Sequence, residues 1–215
     1  PGWRIVVTGN PAIDALQEIT RHPSPPQVNE LLQRLSIGEG GKQLVMITAH
    51  RRENLGQPLE DICAGLRRLA EAYPERFELV YAVHLNPRVQ EPVHRLLGGI
   101  PNITLLPPLD YLPMVHLLRR SVLVLTDSGG IQEEATSLGV PALVLRQVTE
   151  RPEGVAAGVL KLVGTHPDQI FSTAQQLLED PAAYARMANA HNPFGDGHAA
   201  GRIVRAILDY QDEPR

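Results

Sequence analysis

From Gln43 onward the chain alternates short apolar runs with longer amphipathic stretches. Few folds accommodate that rhythm. Apolar, β-favouring runs fall at residues 44–48, 77–83, 103–106, 122–126, 142–145 and 159–163. Helical spacing fills the gaps at 59–72, 88–97, 111–119 and 131–138, then continues at 167–179, 181–189 and 199–210. Within 59–72, Leu59, Ile62, Cys63, Leu66 and Leu69 form a single stripe, the signature of a helix laid on a core. Strands that are apolar throughout, each followed by a helix, predict a parallel sheet buried on both faces. The fold class is therefore α/β, a Rossmann-like parallel sheet with helices on both faces.

The segments around this repeat read differently. Residues 1–9 are β-rich and end at Gly9-Asn10, so they predict a strand, one left from a preceding part of a larger protein. Residues 10–42 predict linker helices at 11–21 and 28–35, joined by the stiff His22–Pro26 connector and closed by the glycines of 38–41. Residues 43–190 form the predicted main domain. Residues 191–215 supply a turn, NPFGDG, read as structural, and a last helix returning towards the preceding domain.

In open parallel sheets, ligands sit at the carboxyl ends of the strands, where strand order reverses. Reactive side chains cluster there in the sequence. His50, Arg51 and Arg52 follow the first run, His84 and Asn86 the second, Pro107 to Asp110 the third, and Thr149, Glu150 and Arg151 the fifth. After the fourth comes Asp127-Ser128-Gly129-Gly130, with a helix expected over 131–138 and stopped by Gly139. A strand, a glycine turn and a helix N-terminus present free N–H groups at the positive end of the helix dipole, a site for phosphate. Ser128, Gly129 and Gly130 are thus candidate phosphate ligands, and Ser128 equally a simple helix cap. Glu134, one turn further on, could hold a ribose hydroxyl. Arg51 and Arg151 carry the fork geometry that matches a pyrophosphate. His50 is a candidate phosphate donor or proton carrier. Arg51 or Arg52 has an ordinary alternative, an ion pair with Glu53.

Composition narrows the function. The net charge of −4 provides no general attraction to nucleic acid or anionic membrane, so any anion site must be local. One cysteine excludes an internal disulfide and fits a cytoplasmic setting. No run approaches the roughly 20 apolar residues of a membrane span. The scattered histidines contain no HxH, HExxH or CxxC pair, so no metal site is expected. No Walker lysine follows the glycines and GxGxxG is missing, which argues against ATP hydrolysis and a nicotinamide cofactor.

The motifs TAHRREN (48–54), VHLNP (83–87), PPLDYLPMV (107–115), TDSGGIQEEA (126–135), VLRQVTERPEG (144–154) and NPFGDG (192–197) together resemble the non-hydrolysing UDP-N-acetylglucosamine 2-epimerases. VTGNPAIDAL (7–16) resembles the segment leading into the second domain of that family. The resemblance implies the second half of a two-domain GT-B fold, a homodimer, no external cofactor, and a UDP-sugar as the ligand. It implies elimination of UDP from UDP-GlcNAc and re-addition to give UDP-ManNAc. Ser128, Gly129 and Gly130 would cradle phosphate, Glu134 would hold ribose, Arg151 would face the phosphates, and His50 would lie beside the diphosphate as the one catalytic candidate of this chain. Arg51 and His84 match positions that contact a second, activating UDP-GlcNAc in some members. The carboxylates that move the carbon-2 proton belong to the first domain. Leu109 and Met114 depart from the polar and aromatic residues that some members place near uracil. A hydrolysing relative, a GT-B glycosyltransferase and a non-catalytic sugar-nucleotide sensor remain the alternatives.

Overall fold

The computed structural model describes residues 5–212. Six strands, β1 (Gln43–Thr48), β2 (Phe77–Ala82), β3 (Ile103–Leu106), β4 (Ser121–Thr126), β5 (Ala142–Val144) and β6 (Leu160–Leu162), form one sheet in the order β3-β2-β1-β4-β5-β6. Every pairing is parallel. All six coincide with the runs expected from the sequence, with no end shifted by more than one residue.

Strand side chains alternate between two cores. Val45, Ile47, Phe77, Leu79, Tyr81, Leu123, Leu125 and Leu143 face one. Leu44, Met46, Val80, Ala82, Val124, Ala142 and Val144 face the other. The first core is covered by α3 (Gln57–Ala72), α4 (Pro87–Leu97), α8 (Pro167–Glu179) and α9 (Pro181–Ala188). The anticipated stripe of α3 is wholly buried, from Leu59 to Leu69. The second core is covered by α1 (Pro11–Arg21), α2 (Pro26–Arg34), α5 (Tyr111–Arg120) and α6 (Gly129–Ser137). Truncating any of these large buried side chains to alanine costs about 2–5 kcal/mol.

The change of face decides where a ligand can bind. The chain crosses β1 to β2 to β3 through α3 and α4 on one side. It then returns to β4, on the far side of β1, through α5 on the other side. The carboxyl ends of β1 and β4 are therefore neighbours whose following loops turn away from each other, which opens a crevice between them.

Three local expectations change. Residues 5–9 are not a strand, and the rest of that expectation lies outside the described residues. A strand needs a neighbour to accept its ladder of hydrogen bonds, and Ile5, Val6 and Val7 stand 79%, 58% and 91% exposed. Second, α6 begins at Gly129, so the two glycines form its first turn and do not precede it. Third, a short helix α7 (Pro152–Ala156) follows Arg151 where no helix was expected. The NPFGDG turn is structural as read. Phe194 is buried in the second core, and Asn192 Nδ2 donates to Ser137 Oγ at 2.6 Å. The last helix, α10 (Ala199–Asp212), exposes Val204, Ile207 and Leu208. Among the described residues no helix is long and apolar enough to cross a membrane.

Candidate functional site

The crevice is built outward from β1 and β4. Asp127 N–H donates to Thr48 O at 3.1 Å, and the Thr48 and Thr126 hydroxyls meet at 2.6 Å. Thr126 Oγ1 also accepts the Ser128 N–H at 3.0 Å. These contacts fix the start of α6 against the end of β1. Ser128 is the N-cap residue in extended conformation, yet its side chain makes no capping bond, so its hydroxyl is uncommitted. The first intrahelical acceptor at this end is Ser128 O, bonded by Gln132 N–H at 3.2 Å. The N–H groups of the preceding turn, including those of Gly129 and Gly130, therefore point out of the helix.

Two guanidinium groups converge on that turn from different loops. A methyl group placed on Gly129 would lie 3.6 Å from Arg151 Nη2 and 3.7 Å from Arg51 Nη2. Glu150 Oε2 is 3.7 Å from the same point and 4.0 Å from Arg51, so a carboxylate borders this point together with the two arginines. A helix N-terminus, a hydroxyl and two arginine forks around one open point are the kind of donors that suit an anion.

Each arginine is held from behind. Arg151 Nε pairs with Glu133, a residue of α6 only 12% exposed, and Glu133 also accepts from Asn10 Nδ2 at 2.7 Å. Thr149 Oγ1 accepts the Arg151 N–H at 3.0 Å and reaches Gln132 Oε1 at 2.9 Å. The Arg51 N–H and the His50 N–H both donate to Asp127 Oδ2 at 2.8 Å. Glu53 does not pair with Arg51 or Arg52 as expected. It accepts from Arg146 Nε at 2.5 Å, because the short 3-10 turn Arg52–Asn54 carries Glu53 under the loop after β5.

The His50 ring stacks on the His84 ring, centroids 5.0 Å apart and planes 11° apart. Burial holds the His50 imidazole below its ordinary value, Asp127 opposes this, and His84 and Arg51 add to it. Glu134 stands apart from the arginines, hydrogen-bonded to Tyr111 of α5. Burial pushes its carboxyl up to about 7, the Tyr111 hydrogen bond works against this and the Glu133 charge adds to it. The Tyr111 phenol is raised to about 12, first by its own burial and then by Glu134. Leu109 and Met114 pack on the second core.

The candidates thus fall into three groups. Arg51, Ser128, Gly129, Gly130 and Arg151 gather around one point, His50 and His84 stack on one another at the same edge, and Glu134 lies a turn away. Asp127 and Glu150 were placed at this edge without a role, and Arg146 was not singled out. An aspartate directly after a buried central strand was the one available signal, since such a residue must either leave the core or find donors inside it.

Residues 1–208 match the family described as UDP-N-acetylglucosamine 2-epimerase. A Yersinia pestis protein of that name is 49% identical over 213 residues, covering 98% of this chain and 56% of its own. A crystal structure of UDP-GlcNAc 2-epimerase from Neisseria meningitidis bound to UDP-GlcNAc matches with a TM-score of 0.89 and 43% identity, over 97% of this chain and 56% of that one. The co-structure of S. aureus MnaA with UDP matches with a TM-score of 0.87 and 43% identity, over 96% of this chain and 55% of that one. The chain spans a little over half the length of the curated relatives it matches.

Proposed function

The chain belongs to the UDP-N-acetylglucosamine 2-epimerase family, and from that premise we propose that it supplies the UDP-binding half of an enzyme interconverting UDP-GlcNAc and UDP-ManNAc. It is the second Rossmann-like half of a GT-B fold, and the sugar lies in the cleft towards a first domain. The exposed Ile5, Val6 and Val7 and the apolar residues of α10 suit a surface that packs on that domain. The working enzyme is a cytoplasmic homodimer.

A base of the first domain removes the proton at carbon 2, and the bond between carbon 1 and the phosphate oxygen breaks. The electron pair leaves with UDP, and a glycal remains. UDP then re-adds at carbon 1 as carbon 2 is reprotonated on its other face. The charge that develops on UDP during bond breaking falls on the α6 N-terminus and the arginines, which are preorganised to meet it. His50 lies beside the departing diphosphate, and Glu134 receives the ribose. A second UDP-GlcNAc would contact the same edge at His84, which stacks on His50, and at Arg51, which the two nucleotides would share.

The observation that carries this reading is the convergence of Arg51 and Arg151 on Gly129. Gly129→Ala tests it. The added methyl makes ordinary contact with both guanidinium tips, so the fold accepts it, and alanine favours the helix by up to about 1 kcal/mol. The same methyl fills the place of the phosphate, so UDP affinity by calorimetry should fall at least about tenfold, on the scale of one charge-assisted contact. Unchanged affinity would remove this point from the phosphate site. The chain alone should bind UDP and turn over no UDP-GlcNAc, because the proton-transferring carboxylates are supplied elsewhere. In the whole enzyme, deuterium from solvent should enter carbon 2 with UDP-ManNAc as product. Free ManNAc would identify a hydrolysing relative, and no exchange a transferase or a sensor.

A further inference from the structure

Asp127 directly follows β4, beside the end of β1, where the strand order reverses. It is fully buried, and its two oxygens have different surroundings. Oδ2 accepts three hydrogen bonds, from His50 N–H and Arg51 N–H at 2.8 Å each and from Asn54 Nδ2 at 2.9 Å. Oδ1 has no hydrogen-bond partner. The group that faces it is His50 Nδ1 at 3.9 Å, about 1 Å beyond hydrogen-bond length. An unpartnered oxygen on a buried carboxylate is rare in native proteins and points to a use other than stability. On its other side His50 is restrained by the stacked His84 ring, which opposes tilting and leaves in-plane movement open.

We infer that Asp127 is a positioning residue for the nucleotide site. Its Oδ2 sets the backbone of His50 and Arg51, and its Oδ1 receives the Nδ1–H of His50 when the diphosphate binds, which turns Nε2–H towards the phosphates. This deepens the UDP-binding reading and rests on it.

The chemistry follows from the imidazole. A ring whose Nδ1–H points at a carboxylate can hold a second proton on Nε2, and a diphosphate beside it favours that cation. In the free protein, burial and the neighbouring His84 and Arg51 disfavour the cation, and Asp127 alone favours it. UDP binding should therefore draw a proton onto His50. In Asp127→Asn the amide oxygen can still accept from the same three donors. Its NH2 then occupies the Oδ1 position and donates to Nδ1. The proton of His50 is forced onto Nε2, and no carboxylate remains to support the cation.

The test is titration calorimetry of the 215-residue chain with UDP near pH 7, in buffers of different ionisation enthalpy, together with the 15N shifts of His50. The His50 signals are assigned by their loss in His50→Gln. The wild type should take up part of a proton on binding, with His50 protonated on Nδ1 in the complex. Asp127→Asn should take up none, show the Nε2–H tautomer, and bind UDP roughly tenfold more weakly, the scale of one charge-assisted hydrogen bond. Asn54→Ala removes another Oδ2 partner and should lower stability without changing the His50 tautomer. If Asp127→Asn does not fold, the wild-type shifts still decide. A neutral Nε2–H His50 in the UDP complex, or proton uptake that survives Asp127→Asn, overturns the inference and leaves the UDP site standing. Failure of the wild type to bind UDP overturns both.

Discussion

Two carboxylates lie buried in this sheet, and they are solvated in opposite ways. Glu78, in β2 near the amino edge, is 2% exposed. One oxygen pairs with Lys42 Nζ at 3.1 Å, and the other accepts from Thr104 Oγ1 at 2.7 Å. Asp127, at the carboxyl edge, is equally buried, with three neutral donors crowded on one oxygen and none on the other. The first is a closed arrangement. It joins the chain entering β1 to β2 and β3 and leaves no polar group to spare. The second is open, as are its neighbours: the Ser128 hydroxyl, the first turn of α6, and arginines facing one another across an empty point. Equal burial thus serves register at one edge of the sheet and ligand binding at the other. Parallel sheets make this division naturally, because the helix N-termini gather at the carboxyl edge only.

The largest effect should come from opening the closed edge. Glu78→Ala leaves the Lys42 ammonium without its partner and should cost about 3 kcal/mol of stability in urea. UDP affinity should not change. A parallel loss of UDP binding would break the division between the edges.

Next is Arg151→Ala, which should weaken UDP binding by about 2 kcal/mol, one charge-assisted contact. A position in a surface loop suggests no cost in stability. The structure corrects this, because Arg151 is the ion-pair partner of the nearly buried Glu133. A loss of about 1 kcal/mol in the same urea experiment is the expected outcome. Equal losses in stability and affinity would make Arg151 a structural residue.

The smallest effect concerns pH. The Glu134 carboxyl is raised by burial to about 7. The unfolded chain therefore releases this proton first as pH rises. Stability should decline from about pH 4.5 to pH 7 and level off above, because only there do both states lack the proton. Glu134→Gln should flatten that part of the pH profile measured by thermal unfolding. An unchanged slope would assign the pH dependence to another group.

Much of this was legible in the residues. The six strands, the buried stripe of α3 and the stop of α6 at Gly139, where φ is +73°, depend on periodicity and local backbone freedom. The gathering of Arg51, Ser128 and Arg151 at one edge followed from the rule for parallel sheets. The short turn Arg52–Asn54 and α7 were not legible. Each is about one helical turn, too short for an apolar period to register. The β-rich residues 5–9 show the reverse error, a strong local preference with no strand beside it among the described residues.

The sequence by itself determined the α/β class, the order of elements and the family, because spacing and motif order are written along the chain. The tertiary structure alone decided the partners. Glu53 belongs to Arg146 and not to its neighbours Arg51 and Arg52. Arg151 is backed by Glu133. His50 faces an aspartate 77 residues away. Such pairings are set by which strands lie side by side. Here β1 meets β4 only because α5 carries the chain across the sheet, and no local pattern in either strand records that crossing.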